Sequence, residues 1–291
     1  MERYRRIKKA VFPIAGFGTR FLPITKSIPK EMLPIVNKPL ISWALEEASS
    51  SGIEEFIFVV GKNSSLLKNY FRKWPTLRKK LQKNNQKTLI KEMDKIEKFL
   101  PKIKFVHQKS PLGLGHAIGC ARKTIGNNCF AVILPDDLIM SRTPCLKQII
   151  KAHNKVGGNL AAVEKVSSSQ VNRYGILDPI LTKGKLIQVG GLVEKPKPKV
   201  APSNFAIIGR YILSPDIFHF LEKKKRGSGG EIQITDAISL SLPKIPFHGF
   251  CFDGSRFDCG SEEGYLEACL AFSYNTNKRK KSLRKIIKKY L

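Results

Sequence analysis

Apolar residues in this chain alternate between two rhythms. Unbroken runs at Ala10-Val11-Phe12-Pro13-Ile14, Phe56-Ile57-Phe58-Val59-Val60 and Phe130-Ala131-Val132-Ile133-Leu134 have the length of strands buried on both faces. Ile103 to Val106 reads as a further, shorter strand. From Pro39 to Ser51, Leu40, Ile41, Ala44, Leu45 and Ala48 recur at helical spacing, and Gly52 ends that helix. The lysine-rich stretch from Lys62 to Lys102 carries apolar residues at helical intervals and predicts two surface helices. Strands alternating with helices imply a mostly parallel sheet covered on both faces. The second half is richer in strands, at Leu160–Val166, Leu186–Glu194 and Phe205–Leu213, which makes the sheet mixed. Gly157-Gly158 and Pro196-Lys197-Pro198 punctuate loops rather than link domains, and no internal repeat is evident.

Length and composition narrow the class. A chain of 291 residues can bury a large core as one α/β domain. No stretch of eighteen uninterrupted apolar residues occurs, which excludes a membrane-spanning helix. The start, Met1-Glu2-Arg3-Tyr4-Arg5-Arg6, lacks the apolar segment of a secretory signal. Cys120, Cys129, Cys145, Cys251, Cys259 and Cys269 form no CxxC pair and read as thiols of a cytoplasmic protein. The net charge of +29 raises nucleic acid or an anionic membrane as a partner. The lysines are spread over the whole chain, however, with no RNA motif, zinc finger or helix-turn-helix. They read as a bias on solvated faces that also attracts anionic substrates.

Candidate chemistry begins directly after the first strand. Ala15-Gly16-Phe17-Gly18-Thr19-Arg20-Phe21-Leu22-Pro23 is followed by Pro29-Lys30-Glu31-Met32-Leu33-Pro34. Glycines after a buried strand let the backbone approach a ligand and aim N–H groups at phosphate. Two familiar phosphate loops fail here: Phe21 stands where the dinucleotide fingerprint needs glycine, and no Gly-Lys-Ser/Thr triplet follows as in the P-loop. The pattern G-x-G-T-R-x-L-P with P-K-E-M-L-P resembles the signature loop of the sugar nucleotidyltransferases, and further motifs follow in that family's order from Lys8 to about Tyr274. The resemblance implies a Rossmann-like nucleotidyltransferase fold over residues 1–274. It would have a nucleotide-binding half at about 8–140 and a sugar-binding half at about 141–274, with a basic helix at 275–291.

It also implies a reaction in which a sugar-1-phosphate oxygen attacks the α-phosphorus of a nucleoside triphosphate. The Thr25-Lys26 form of the loop is similar to that of the enzymes joining UTP to glucose 1-phosphate. On this resemblance Ala15, Gly16, Gly18, Thr19 and Lys30 bind the nucleotide, and Arg20, Lys30 and Lys195 serve catalysis. Asp136 closes a strand, as a ligand-binding residue of an α/β fold does. It matches the family's metal aspartate, Asp258 in Asp258-Cys259-Gly260 matches the second, and the implied metal is Mg²⁺. Asp137 departs from the apolar residue usual there and reads as a loop charge. Gln108, followed by Leu112-Gly113-Leu114-Gly115-His116, matches the base-recognition segment: the glutamine amide can pair with uracil, Gly113 permits close approach to the base, and His116 reads as a structural residue at a helix start.

For the sugar phosphate, Tyr174-Gly175 and Val193-Glu194-Lys195-Pro196 match, with Gly175, Glu194 and Lys195 as contacts. Successive residues of a strand point to opposite faces, so Glu194 and Lys195 need a twist or bulge to act together. Ser203-Asn204 and Gly229 to Asp236 also resemble family segments, the latter as a capped helix start. Thymidylyl transfer and an inactive regulatory relative stay open as alternatives. A homo-oligomer, dimer or tetramer, is implied, with neither nucleic acid nor a membrane span expected. The acid-free segment from Asn277 to Leu291 places Leu283, Ile286, Ile287 and Tyr290 on one helical face. That stripe is expected to dock on the body of the protein or a neighbouring subunit, with lysines toward water.

Overall fold

The computed structural model describes residues 6–62, 64–223, 230–275 and 280–290. Its strands begin with β1 (Lys9–Ile14), β2 (Pro34–Ile35), β3 (Lys38–Pro39), β4 (Glu55–Val60), β5 (Ile103–His107), β6 (Phe130–Ile133) and β7 (Asp137–Met140). They continue with β8 (Asn159–Lys165), β9 (Gly175–Lys183), β10 (Leu186–Glu194), β11 (Phe205–Leu213), β12 (Phe247–Cys251) and β13 (Ser255–Asp258). One nine-stranded sheet runs in the order β5-β4-β1-β6-β11-β8-β12-β10-β9. β5, β4, β1 and β6 are mutually parallel, so their C-terminal ends open onto one edge. β11 returns antiparallel to β6 and β8, and beyond it only β8 and β12 pair parallel. The sheet is therefore mixed, parallel in its first half and mainly antiparallel in its second.

Period-two alternation sends neighbouring strand residues into different layers. Phe12, Phe56 and Phe58 face helices Leu40–Ser50 and Cys145–Val156, through Ile41, Leu45, Leu146 and Ile149. Val11, Ile57 and Val59 face the opposite layer, where helices Leu114–Cys120, Ile217–Glu222 and Ile234–Ser241 supply Ile118, Phe218 and Ile238. Both faces of β1, β4 and β6 are thus buried, which explains the unbroken apolar runs, while β5 at the sheet edge is half-exposed.

Three elements differ from the pattern-based expectation. The stretch after Lys62 forms three α-helices, Ser65–Tyr70, Pro75–Lys83 and Lys87–Glu97, rather than two. Pro75 forces a restart after Trp74, and Asn85, with a left-handed φ of 53°, turns the chain before the third helix. β9 had no clear strand pattern because it is an edge strand with Pro179 inside and mostly exposed residues at its end. The helix after Gln233 starts without a side-chain capping bond from that residue, and Gly229 lies outside the described residues.

At the C-terminus, helix Lys280–Ile287 follows helix Glu262–Asn275, while Asn277, Lys278, Arg279 and Leu291 lie outside the described residues, as do Met1 to Arg5. Leu283 and Ile287 are half-buried, but Ile286 is 52% and Tyr290 85% exposed. The body of this chain therefore covers the apolar stripe only in part. Among the described residues, no helix is long and apolar enough to cross a membrane.

Candidate functional site

The C-terminal ends of the parallel strands collect the expected residues on one edge. β1 delivers Ala15 to Thr19, β5 delivers Gln108, and β6 delivers Asp136. Gly18 takes a left-handed φ of 64°, and a Cβ there would stand 3.1 Å from both Thr25 Cγ2 and Lys30 Cβ. Thr25 Oγ1 donates to the Gly18 carbonyl at 2.9 Å, pinning the turn from below. Gly16 has open space around it and is exposed, as are Thr19 and Arg20. The loop is thus fixed at Gly18 and open at Gly16, a form suited to receiving phosphate oxygens. Lys26 points into solvent on the following turn.

Lys30 and Asp136 meet at 2.5 Å. Burial alone would lower the lysine's pKa, but the Asp136 charge and hydrogen bond more than offset it, and the net shift is upward. For Asp136 burial pushes upward, and Lys30 reverses it, leaving the carboxyl below its ordinary value. Both groups are charged at neutral pH. The second aspartate arrives through tertiary pairing: β13 runs antiparallel to β7 with Asp258 opposite Asp137, and Cys259 N–H donates to the Asp136 carbonyl at 2.8 Å. A Cβ on Gly260 would stand 2.9 Å from Asp258 Oδ1, 3.2 Å from Asp136 Oδ2 and 3.3 Å from Arg20 Nη1. Two carboxylates and a guanidinium therefore reach one small space that glycine leaves open.

That donor set fits a hard divalent cation completed by phosphate oxygens and water. Among the described residues no group of three or more His, Cys, Asp or Glu side chains forms a full protein cage. Substrate oxygens would supply what two carboxylates lack. Arg20 Nη1 also donates to the Gly260 carbonyl at 3.2 Å, tying the signature loop to the Asp258 turn.

Gln108 is buried, and its amide nitrogen bonds His116 Nδ1 at 2.8 Å. Gly113 opens the helix at Leu114 with φ 102°, and a Cβ there would stand 2.8 Å from Glu231 Cβ and 2.9 Å from the Ile232 carbonyl. Its lack of a side chain thus serves the 231–232 segment within the protein. Ile232 N–H donates to Leu112 O at 2.8 Å, and Gly115 N–H donates to Ile232 O at 2.8 Å. This two-way stitch joins residues 112–115 to the 231–232 loop.

In the second half of the sheet, β9 and β10 pair Gly175 with Glu194. The twist required between Glu194 and Lys195 is present. Lys195 adopts a left-handed φ of 47°, its N–H bonds the Tyr174 carbonyl at 2.9 Å, and its Nζ comes to 3.6 Å from Glu194 Oε1. A non-glycine residue in that conformation marks a constrained position. Thr235 Oγ1 donates to Glu194 Oε2 at 2.5 Å, and a Cβ on Gly175 would crowd Thr235 Cγ2 at 2.8 Å. Tyr174 OH links this strand pair to the Asp258 turn, donating to Asp258 Oδ2 at 3.3 Å.

The structure brings further residues to the site whose place there the sequence does not show. Asp137 is no loop charge: it is buried, pairs with Arg256 Nη2 at 2.5 Å and accepts from Gly209 N–H at 2.9 Å. Burial is the main cause that raises its carboxyl, with Arg256 opposing. Arg173, next to the matched Tyr174-Gly175, binds Asp258 Oδ2 at 2.7 Å. Arg210 is fully buried and pairs with Glu47 at 2.7 Å. It also donates to the carbonyls of Leu134 at 3.0 Å and Asp137 at 2.8 Å, bracketing the turn that carries Asp136. Arginine inside the otherwise apolar strand Phe205–Leu213 was the one cue available.

Comparison with known proteins gives consistent matches. A family model for nucleotidyl transferase matches residues 9–273. A UTP–glucose-1-phosphate uridylyltransferase of Staphylococcus haemolyticus is 44% identical over 284 residues, 98% of each chain. A structure of UDP-glucose pyrophosphorylase complexed with UDP-glucose is 43% identical with a TM-score of 0.82, covering 92% of this chain and 98% of that one. A UTP-bound UGPase from Acinetobacter baumannii has a TM-score of 0.89 at 37% identity, with 97% and 99% covered.

Proposed function

The chain belongs to the nucleotidyl transferase family, and from that membership we propose that it transfers the uridylyl group of UTP to α-D-glucose 1-phosphate. The products are UDP-glucose and pyrophosphate. The observation that carries this reading is the convergence of Asp136, Asp258, Lys30 and Arg20 at the edge of the parallel strands. Relatives of this similarity bear the uridylyltransferase name, which favours the uridylyl over the thymidylyl alternative.

An oxygen of the sugar phosphate attacks the α-phosphorus of UTP. The bond from that phosphorus to the bridging oxygen breaks, and its electron pair departs with pyrophosphate. The attacking oxygen is already ionised at neutral pH, so no general base is needed. What the chain supplies is alignment and neutralisation of anions that repel one another. Ala15, Gly16, Gly18 and Thr19 cradle the triphosphate, with Arg20 and Lys30 as its fixed cations. Gln108, held by His116, reads the uracil, with Gly113 shaping the turn beside it. Glu194 accepts sugar hydroxyls beside Gly175, and Lys195 draws in the acceptor phosphate. Asp136 and Asp258 would hold Mg²⁺, which when bound supplies further neutralisation of the phosphates.

Product analysis with UTP, dTTP and glucose 1-phosphate in parallel tests the reading. UDP-glucose and pyrophosphate are expected from UTP, with Mg²⁺ present, only when the sugar phosphate is added. Equal or faster turnover of dTTP would move the assignment to thymidylyl transfer. No turnover of any nucleotide would leave the inactive regulatory relative standing.

A further inference from the structure

We propose that the C-terminal segment, residues 280–290 with its helix Lys280–Ile287, seats this molecule on an anionic lipid bilayer. Lys280, Lys281, Arg284, Lys285, Lys288 and Lys289 fall in this segment, with no acidic residue among them. Leu283, Ile286, Ile287 and Tyr290 recur at the spacing of one helical face. No residue of the segment is buried, and its two outermost apolar side chains, Ile286 and Tyr290, are 52% and 85% exposed. Helix Glu262–Asn275, which it contacts, separately exposes Leu266 and Leu270 one turn apart, with Glu263 and Glu267 exposed beside Leu266. The two helices touch through Arg284, which donates to Tyr274 OH at 2.8 Å, and through Lys280, 4.7 Å over the same ring.

Charge complementarity selects the occupant. A helix with an aliphatic face bordered by lysines lies in the headgroup region, burying the apolar face while cations meet anionic lipids. A nucleic acid would use the cations but has no use for Leu283, Ile286 and Ile287. A second copy docking by the same face would set these six cations against six more.

The test uses the full chain and vesicles of phosphatidylglycerol and phosphatidylcholine in equal parts. It should co-sediment with them at low salt, release as salt rises, and ignore vesicles of phosphatidylcholine alone. Ile286→Glu should weaken vesicle binding about tenfold or more, and Lys285→Glu with Lys288→Glu should do the same. Both variants should keep the melting temperature and the rate of UDP-glucose formation, because these side chains are exposed and none is among the residues assigned to the site. Undiminished binding by Ile286→Glu would overturn the proposal, since cations elsewhere would then suffice. So would absence of vesicle binding by the unaltered chain, or an Ile286→Glu variant that only dissociates an oligomer in sedimentation velocity. Binding to polyuridylate as tight as to vesicles, and equally indifferent to Ile286→Glu, would indicate a general polyanion surface instead.

Discussion

Glu31 stands inside the signature loop with 7% of its surface exposed, and burial raises its carboxyl to about 7. Its folded value lies above the ordinary 4.5, so the native state holds this proton longer than the unfolded chain. Stability from this group is full below that ordinary value, erodes as pH rises toward 7, and stays low above it. Glu31→Gln, neutral throughout, should match the unaltered protein in thermal unfolding near the acid end of that window. At alkaline pH it should be more stable by up to about 3 kcal/mol. An equal difference at both ends would show that the effect is packing and not protonation. Lys195 offers a functional counterpart. Lys195→Ala keeps the backbone type but removes a charge-assisted phosphate contact of about 1.5–3 kcal/mol, hence a tens- to hundredfold loss. Steady-state kinetics should place that loss on glucose 1-phosphate; a change in UTP affinity alone would reassign Lys195 to the other substrate.

Between elements, two glycines of one short helical region separate local preference from tertiary fit. A Cβ at Gly113 would press on Glu231 Cβ and the Ile232 carbonyl in a left-handed conformation, whereas one at Gly119 meets nothing within 4 Å. Gly113→Ala should therefore cost about 1–3 kcal/mol and loosen the stitch between Leu112 and Ile232. Gly119→Ala should be neutral or stabilising by about 0.5–1 kcal/mol, as alanine is in any helix interior. Thermal melts of the two variants side by side check this; equal losses would mean the helix tolerates no alanine for a reason other than that contact. The sequence shows both glycines equally well. Only the partner segment, more than a hundred residues away, distinguishes them.

Across the whole molecule, Arg210 joins parts that are far apart in the chain. Its guanidinium binds Glu47 of helix Leu40–Ser50 while gripping the carbonyls around Asp136, and Glu47 Oε1 also accepts Leu146 N–H of helix Cys145–Val156 at 2.9 Å. The bonds occur where β11 breaks register with β8, between Ile207 and Tyr211. Arg210→Leu leaves Glu47 without its buried partner and should cost about 3–5 kcal/mol, lowering Tm by roughly 5–15 °C. Glu47→Leu in the same chain should restore part of the loss, because the stranded charge is then gone. Strict additivity in thermal unfolding would show that the two side chains act independently.

The sequence by itself determined the strand–helix alternation of the parallel half, the glycine loop with its neighbouring cations, and the twist needed at Glu194-Lys195. These are local matters: hydrophobic period reports which face is buried, and a side chain's chemistry is the same wherever it lands. The tertiary structure alone decided that Asp258 would stand beside Asp136, that Asp137 would be a buried partner of Arg256, and that residues 112–115 would bond to Ile232. Each depends on pairing between distant segments through backbone hydrogen bonds. Every residue but proline offers the same donor and acceptor there, so the sequence of either segment carries no mark of its partner. Sheet register and the burial of both layers select it.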